Sequence, residues 1–347
     1  MELVKTEALL KAMLAADSFD AYAVAVGVDG KETCLTSPGV GGDTYFDAAS
    51  MGKVLVTATL ILKLVTEGRL SLDDTLERFF DGVPEDKKAI TVKHLLTHTS
   101  GILRFGGEIP PWYVDSGRDA VADYLLSQPL PYPVGSAYAY SCYGYILLGF
   151  IAEKVYGVPL DEAFYRYVKT PLGLTRARFN LDDTEKDYVK CWRRKYRGAY
   201  EVDDEAVYSL AGVVGNAGSF WTLDDMRRYV KAVLRKDERL YGKELFALAE
   251  KNHTPDMAEG RGLGWLVVNA AYPQTGKLFP VGSFGHCGHT GQSFFINREK
   301  QMYAIVLTNA TRHSRAKNGD AYYQPVMKMR EEIHNAVYDD LTAQKMI

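Results

Sequence analysis

Two Ser-x-x-Lys quartets occur in this chain of 347 residues, Ser50-Met51-Gly52-Lys53 and Ser314-Arg315-Ala316-Lys317. Serine and lysine at i and i+3 of a helix lie side by side on one face, so the amine can reach the hydroxyl. If apolar surroundings lower the lysine pKa, the free amine can act as a base toward that hydroxyl and make the serine a nucleophile. The first quartet opens the apolar run MGKVLVTATLILKLVTEG, where the positive end of a helix favours negative charge developing on an acylated serine. The second lies in the polar, basic stretch THSRAKNGD, which reads as a solvated loop. Taken alone, Ser50 and Lys53 read as an N-cap serine followed by a snorkelling lysine. Two further groups change that reading: Tyr140-Ser141-Cys142 at the head of a helical pattern, and His286-Cys287-Gly288 on a late strand pattern.

Other chemical frameworks are absent or incomplete. No serine sits in G-x-S-x-G, and no G-x-x-x-x-G-K-[ST] loop exists to cradle phosphates. Gly260-Arg261-Gly262-Leu263-Gly264 precedes a strand rather than opening a helix after one, which is the wrong context for a dinucleotide. His286, Cys287 and His289 cluster and, with Cys142, make a rival zinc set, but no carboxylate motif accompanies them. His94 and His98 are spaced as a helical metal pair but lack the glutamate of H-E-x-x-H. The preferred reading therefore needs no metal and no cofactor.

Composition narrows the classes further. With 41 Lys+Arg against 44 Asp+Glu the net charge is −3, which supplies no basic excess for a nucleic-acid partner. The four cysteines, Cys34, Cys142, Cys191 and Cys287, contain no C-x-x-C pair and read as free thiols. No uninterrupted apolar run approaches the ~20 residues of a membrane-spanning helix. The first residues place Leu3, Leu9, Leu10, Met13 and Leu14 near one helical face, interrupted by Lys11. This predicts an amphipathic helix rather than a signal peptide, hence a cytoplasmic protein, or a secreted one if a leader has been removed.

The elements that must position these residues follow from pattern. AYAVAVGV and KETCLT, separated by Asp29-Gly30, predict a hairpin, and the run after Ser50 predicts a central helix closed by Gly68. Helical signals dominate from Ser71 to about Lys251. Strands return in GLGWLVVNAAY, GSFGHCG, HTGQSFFIN and QMYAIVLTN, before a last amphipathic helix from about Tyr322 to Leu341. Neither β-rich end can bury its face alone, so the prediction is a mixed α/β (α+β) fold. Residues 1–70 and 255–347 make one discontinuous antiparallel-sheet domain flanked by helices. Residues 71–254 form an inserted, mostly helical domain, with the cleft between the two.

Six ordered blocks then carry a resemblance over nearly the whole chain: FDAASMGKVLVTATLILKLVTEGRLSLDDTL, ITVKHLLTHTSGI, YAYSCYGYILLGFIAEKVYG, NAGSFWTLDDM, GLGW, and FGHCGHTGQSFFIN followed by QMYAIVLTN. The chain resembles the serine β-lactamase and penicillin-binding-protein superfamily, in the class C β-lactamase-related branch that includes esterases and D-amino-acid peptidases. The resemblance implies a β-lactamase/transpeptidase-like fold, with Ser50 as the acylated nucleophile, Lys53 as base or proton shuttle, and Tyr140 completing the relay. It implies an oxyanion hole from the backbone N–H groups of Ser50 and His289, and a substrate-binding surface at Cys142, His286, Cys287 and Gly288. It prefers His286 over the rival triplet beginning at His289, makes His94 and His98 structural, and leaves the division of labour between Lys53 and Tyr140 open.

The departures bear on substrate. Relatives acting on β-lactams commonly carry Asn where this chain has Cys142, and Lys-Thr-Gly where it has His286-Cys287-Gly288. A lysine is a permanent cation near neutral pH; an imidazole with a pKa of ~6.5 is mostly neutral there, and a thiol is a weak donor. Carboxylate capture should be weaker. The expectation is a serine hydrolase of small esters, amides or peptides, carboxylesterase or D-amino-acid peptidase in type. The alternatives are a β-lactamase or D-Ala-D-Ala carboxypeptidase, and a slowly deacylating penicillin-binding sensor. Cys142 and Cys287, expected to border one cleft, should make activity sensitive to thiol reagents.

Overall fold

The structure, a computed structural model, describes residues 1–102, 109–182, 184–191, 202–270 and 272–347. Strands β1 (Tyr22–Val28) and β2 (Lys31–Thr36) form the expected hairpin; Asp29 and Gly30 take φ of 45° and 78°, as a two-residue turn with the right twist requires. Three short strands follow, β3 (Phe46–Asp47), β4 (Arg178–Phe179) and β5 (Ser219–Trp221). The last five are β6 (Gly260–Arg261), β7 (Leu266–Val267), β8 (Phe284–Cys287), β9 (Ser293–Asn297) and β10 (Met302–Thr308).

The principal sheet is antiparallel in the order β2-β1-β10-β9-β8-β7-β6, so strands from the two ends of the chain pair at its centre. Every residue of β1 and β10 is buried because both faces of the sheet are covered. Alternate side chains enter two different cores. Ala23, Ala25, Tyr303, Ile305 and Leu307 face one; Tyr22, Val24, Val26, Met302, Ala304 and Val306 face the other. The second core is closed by helix α1 (Val4–Ala15) through Leu10 and Met13, and by the final helix (Tyr323–Ala343) through Val326, Ile333, Val337 and Leu341.

The first core contains the segment that follows Ser50. It is not one uniform helix: a 3₁₀ turn (Ala49–Met51) leads into a π-helical stretch (Lys53–Ala58) and then an α-helix (Thr59–Thr66). By length and composition Ala49–Thr66 could cross a membrane, but 78% of it is buried inside the fold. Leu55, Leu60, Leu62 and Leu64 are buried, as the sequence predicts, each contributing about 2 kcal/mol relative to exposure. Gly68 ends the segment at φ 66°.

The mostly helical middle also supplies β4 and β5 to a small sheet in the order β3-β5-β4, whose strands are too short to leave a periodic signal. Two expectations need correction. GLGWLVVNAAY is not one strand. The chain turns between β6 and β7, where Gly264 (φ 88°) passes so near the segment after Ser50 that an added Cβ would stand 2.4 Å from the Ala58 Cβ. The second Ser-x-x-Lys quartet is not a loop: Ser314 and Lys317 lie in a helix, Ala310–Asn318, where Ser314 Oγ donates to the Tyr322 carbonyl at 2.6 Å. Tertiary partners fix a stretch whose polarity alone suggests solvent.

Candidate active site

The turn that presents Ser50 is built by its neighbours. Ala49 has φ 46°, a left-handed conformation that costs a non-glycine residue free energy, and the buried Asp47 carboxylate holds it there by accepting the Ala49 N–H at 2.8 Å. The other Asp47 oxygen accepts the Asp203 N–H at 3.1 Å and the Cys191 thiol at 3.7 Å. Burial pushes the Asp47 carboxyl up to about 7, against the pull of these N–H groups.

Lys53 is fully buried one turn on from Ser50. Its Nζ donates to Ser50 Oγ at 3.1 Å, to the Asn216 carbonyl at 2.8 Å and to Cys142 Sγ at 3.6 Å. The Ser50 side chain is close enough to the Tyr140 phenol to favour its ionised form, but burial, the larger effect, drives the phenol well above the usual range. Tyr140 is positioned from two sides. Ser141 caps helix Cys142–Tyr156 by accepting the Gly144 N–H at 3.0 Å. The Ser141 N–H in turn donates to His98 Nδ1 at 3.0 Å, and the His98 ring stacks on Tyr140 with centroids 4.4 Å apart. His98 is neutral, its pKa held well below 6.5 by burial and then by Arg261 and Lys53. His94, by contrast, completes a capping box with Thr91, so the two histidines make no metal pair.

His286 lies on β8, its ring centroid 6.4 Å from that of Tyr140. Its Nδ1 is 2.8 Å from the Cys287 carbonyl, which can only accept, so Nδ1 carries the proton and the buried Nε2, which has no hydrogen-bond partner among the described residues, presents a lone pair. Burial keeps this imidazole neutral. At the end of the strand an added Cβ on Gly288 would lie 2.7 Å from the Ala48 carbonyl oxygen; the glycine lets the two main chains touch. The turn after it is clamped to the Ser50 turn by Thr290 Oγ1 and Gln292 Nε2, which donate to the Asp47 carbonyl at 3.1 and 2.6 Å. Arg330, fully buried on the final helix, donates to the Gly288 carbonyl.

The His289 imidazole points into a separate cluster: Nε2 accepts from Arg315 at 2.8 Å, and Tyr322 Oη is 3.1 Å away. Burial and two arginines push its pKa down to about 4. Arg315, inside the second quartet, pairs with Asp203 at 2.9 Å. The structure thus gathers Ser50, Lys53, Tyr140 and Cys142, with His286 and the Gly288 main chain alongside. The Cys287 thiol is not among them; it bonds the Tyr272 hydroxyl at 3.2 Å and packs against the core on the sheet's other face. Nor do Cys142, His286, Cys287 and His289 gather as metal ligands. Among the described residues only Asp17, Asp20 and His313 have such a grouping, and His313 there lies between two carboxylates at 2.9 and 3.0 Å.

Two residues of the site had no role assigned in the sequence reading. Asn216 figured only as the first residue of the block NAGSFWTLDDM, and its main-chain carbonyl, which accepts from Lys53, is a contact that no motif records. Arg261 figured only as part of a glycine-rich stretch, yet its buried guanidinium lies 5.4 Å from the Tyr140 ring centroid.

The profile of the β-lactamase family matches residues 6–325. The chain belongs to the β-lactamase family. Among relatives of this family member, a protein of Escherichia coli (strain K12) bearing the name "Putative D-alanyl-D-alanine carboxypeptidase" is 30% identical over 309 residues, covering 77% of this chain and 69% of its own. Solved structures with the same fold include the octameric penicillin-binding protein homologue from Pyrococcus abyssi, with TM-score 0.70, 24% identity and coverage of 89% and 74% of the two chains. EstCE1, a hydrolase with promiscuous acyltransferase activity, has TM-score 0.74, 20% identity and coverage of 94% and 97%. The β-lactamase-family chain described here is a serine hydrolase with a mixed α/β fold.

Proposed function

We propose that this hydrolase acylates Ser50 with small esters or amides, in the manner of a carboxylesterase or D-amino-acid peptidase, and releases the acyl group to water. The observation that carries the reading is the hydrogen bond from Lys53 Nζ to the Ser50 hydroxyl at 3.1 Å, made 5.0 Å from the Tyr140 ring centroid. Oγ attacks the substrate carbonyl as its proton passes to Lys53 or Tyr140, and Tyr140 returns a proton to the leaving group. The backbone N–H groups of Ser50 and His289 stabilise the developing oxyanion, and the contact of Gly288 with Ala48 supports this by fixing the two main chains against each other. Residues 1–70 with 255–347 form one wall of the cleft and residues 71–254 the other, with Cys142 and His286 lining it.

The neutral His286, with a lone pair rather than an N–H on Nε2, favours substrates without a required carboxylate. The name of the Escherichia coli relative favours a D-alanyl-D-alanine carboxypeptidase instead. Turnover of short p-nitrophenyl esters, D-amino-acid amides, a D-Ala-D-Ala peptide and nitrocefin, each measured with wild type and Ser50→Ala, separates these readings. Esters or amides cleaved in preference to the dipeptide support the first. A stable penicillin adduct on Ser50 without turnover would make the protein a sensor, and no Ser50 adduct with any acylating probe would end the hydrolase assignment to this serine.

A further inference from the structure

Arg261 lies on β6, only 3% exposed, with one ion-pair partner among the described residues: Glu259, whose carboxylate is 2.5 Å from Nη2. Nε and Nη1 are buried and make no hydrogen bond among the described residues. A buried cation is costly unless its surroundings offset the lost water. Here they are aromatic. The Tyr138 hydroxyl meets Nη2 at 2.7 Å, and the rings of Tyr138 and Tyr140 have centroids 5.1 and 5.4 Å from the guanidinium. Tyr138 also donates to Glu259 at 3.0 Å, so carboxylate, phenol and guanidinium hold one another in place.

Tyr140 has several other neighbours. Ser50 is close enough to interact with it, Lys53 Nζ is 5.0 Å from its ring centroid, and His98 is stacked on it. His286 is a ring away, and the Cys142 thiol and the Tyr323 phenol are close enough to interact electrostatically. Both histidines are neutral, so the Arg261 charge that joins Lys53 Nζ beside Tyr140 is one that β8, carrying His286, does not provide. It comes instead from two strands across the sheet.

We propose that Arg261 is a positioning residue for the proton relay, its charge favouring the ionised form of Tyr140 as the Ser50 proton is handed on. The proposal rests on the reading that Ser50 is acylated with Tyr140 in the relay. In the acylation step the Ser50 O–H bond breaks as the bond from Oγ to the substrate carbonyl carbon forms. The proton passes through Tyr140 to the leaving group, and nothing is oxidised or reduced. The direction of the electrostatics agrees: burial raises the Tyr140 phenol and the guanidinium opposes it.

The test uses the full-length protein with a p-nitrophenyl ester, comparing wild type, Arg261→Lys, Arg261→Met and the double variant Glu259→Gln/Arg261→Met, which leaves no unpaired buried carboxylate. The pH dependence of kcat and KM is measured for each, Tyr140→Phe identifies the limb that belongs to the phenol, and circular dichroism checks folding. Loss of the charge should move that limb up by roughly one pH unit and lower kcat about tenfold, with KM little changed, in both Met-containing variants. Lys should restore most of the profile. A folded double variant with an unmoved limb, or a loss confined to KM, overturns the proposal. Intact-mass labelling with a fluorophosphonate runs alongside: a labelled wild type with an unmoved limb removes only the role of Arg261, whereas an unlabelled Ser50 removes the reading beneath it.

Discussion

The α-carbon of Gly288 faces the carbonyl oxygen of Ala48 so closely that a methyl group added there would stand 2.7 Å from it. Strand β8 and the turn bearing Ser50 therefore have a spacing that only glycine permits. Gly288→Ala should leave the fold intact but push the two main chains apart, and a displacement of about 1 Å at reacting groups can cost on the order of 10²-fold in rate. Steady-state ester hydrolysis should show kcat falling by about that factor while thermal unfolding shifts little. Unchanged kcat would mean that the contact plays no part in catalysis.

Ser50 and Lys53 share one hydrogen bond, at 3.1 Å, and should behave as a unit. Ser50→Ala and Lys53→Met should each reduce kcat/KM about 10³-fold or more, and the double variant should be no worse than the poorer single one. Additive losses in that cycle would show two independent contributions.

The two thiols first grouped together should separate. Cys142 Sγ is 3.6 Å from Lys53 Nζ, whereas Cys287 is bonded to Tyr272 toward the other core. Iodoacetamide inactivation should be abolished by Cys142→Ala and unaffected by Cys287→Ala. Burial raises both thiols above the ordinary value, so less thiolate is present at neutral pH and inactivation should accelerate as pH rises into the alkaline range. Protection by Cys287→Ala alone would reverse the assignment.

Asp47 sets a pH dependence of stability. Its folded-state pKa of about 7 lies above the model-peptide value near 3.8, so the folded protein holds this proton more tightly than the unfolded chain does. The resulting stabilisation is complete below pH ~4 and is lost as pH rises through about 7. Asp47→Asn, which keeps one acceptor oxygen for the Ala49 N–H, should flatten that part of the curve of Tm against pH. A wild-type slope retained in the variant would place the titration elsewhere.

What could be read from the sequence was what is local. The apolar run after Ser50, the turn at Asp29-Gly30 and the strands around His286 carry period, composition or turn chemistry within a dozen residues. The antiparallel sheet and the convergence of Ser50, Lys53 and Tyr140 followed from block order. Contacts that depend on distant segments left no such trace. Arg261 meets Tyr140 from 121 positions away in the chain, and Arg315 meets His289 only because Ala310–Asn318 is a helix rather than a loop. Alternation explains the separation of the thiols: His286 and Cys287 are adjacent on one strand, so their side chains leave opposite faces of the sheet.

The pairing of β1 with β10 has a consequence for how the protein is made. Strand β1 must wait for β10, made almost 300 residues later, because Tyr22 is the partner of Thr308 and β10 lies between β1 and β9. Until β10 has been translated, the β1–β2 hairpin exposes the open side of an apolar strand, and neither core can close. Chains that stop short of residue 308 lose a central strand rather than an edge, so they should be substrates for chaperones and proteases rather than shortened enzymes.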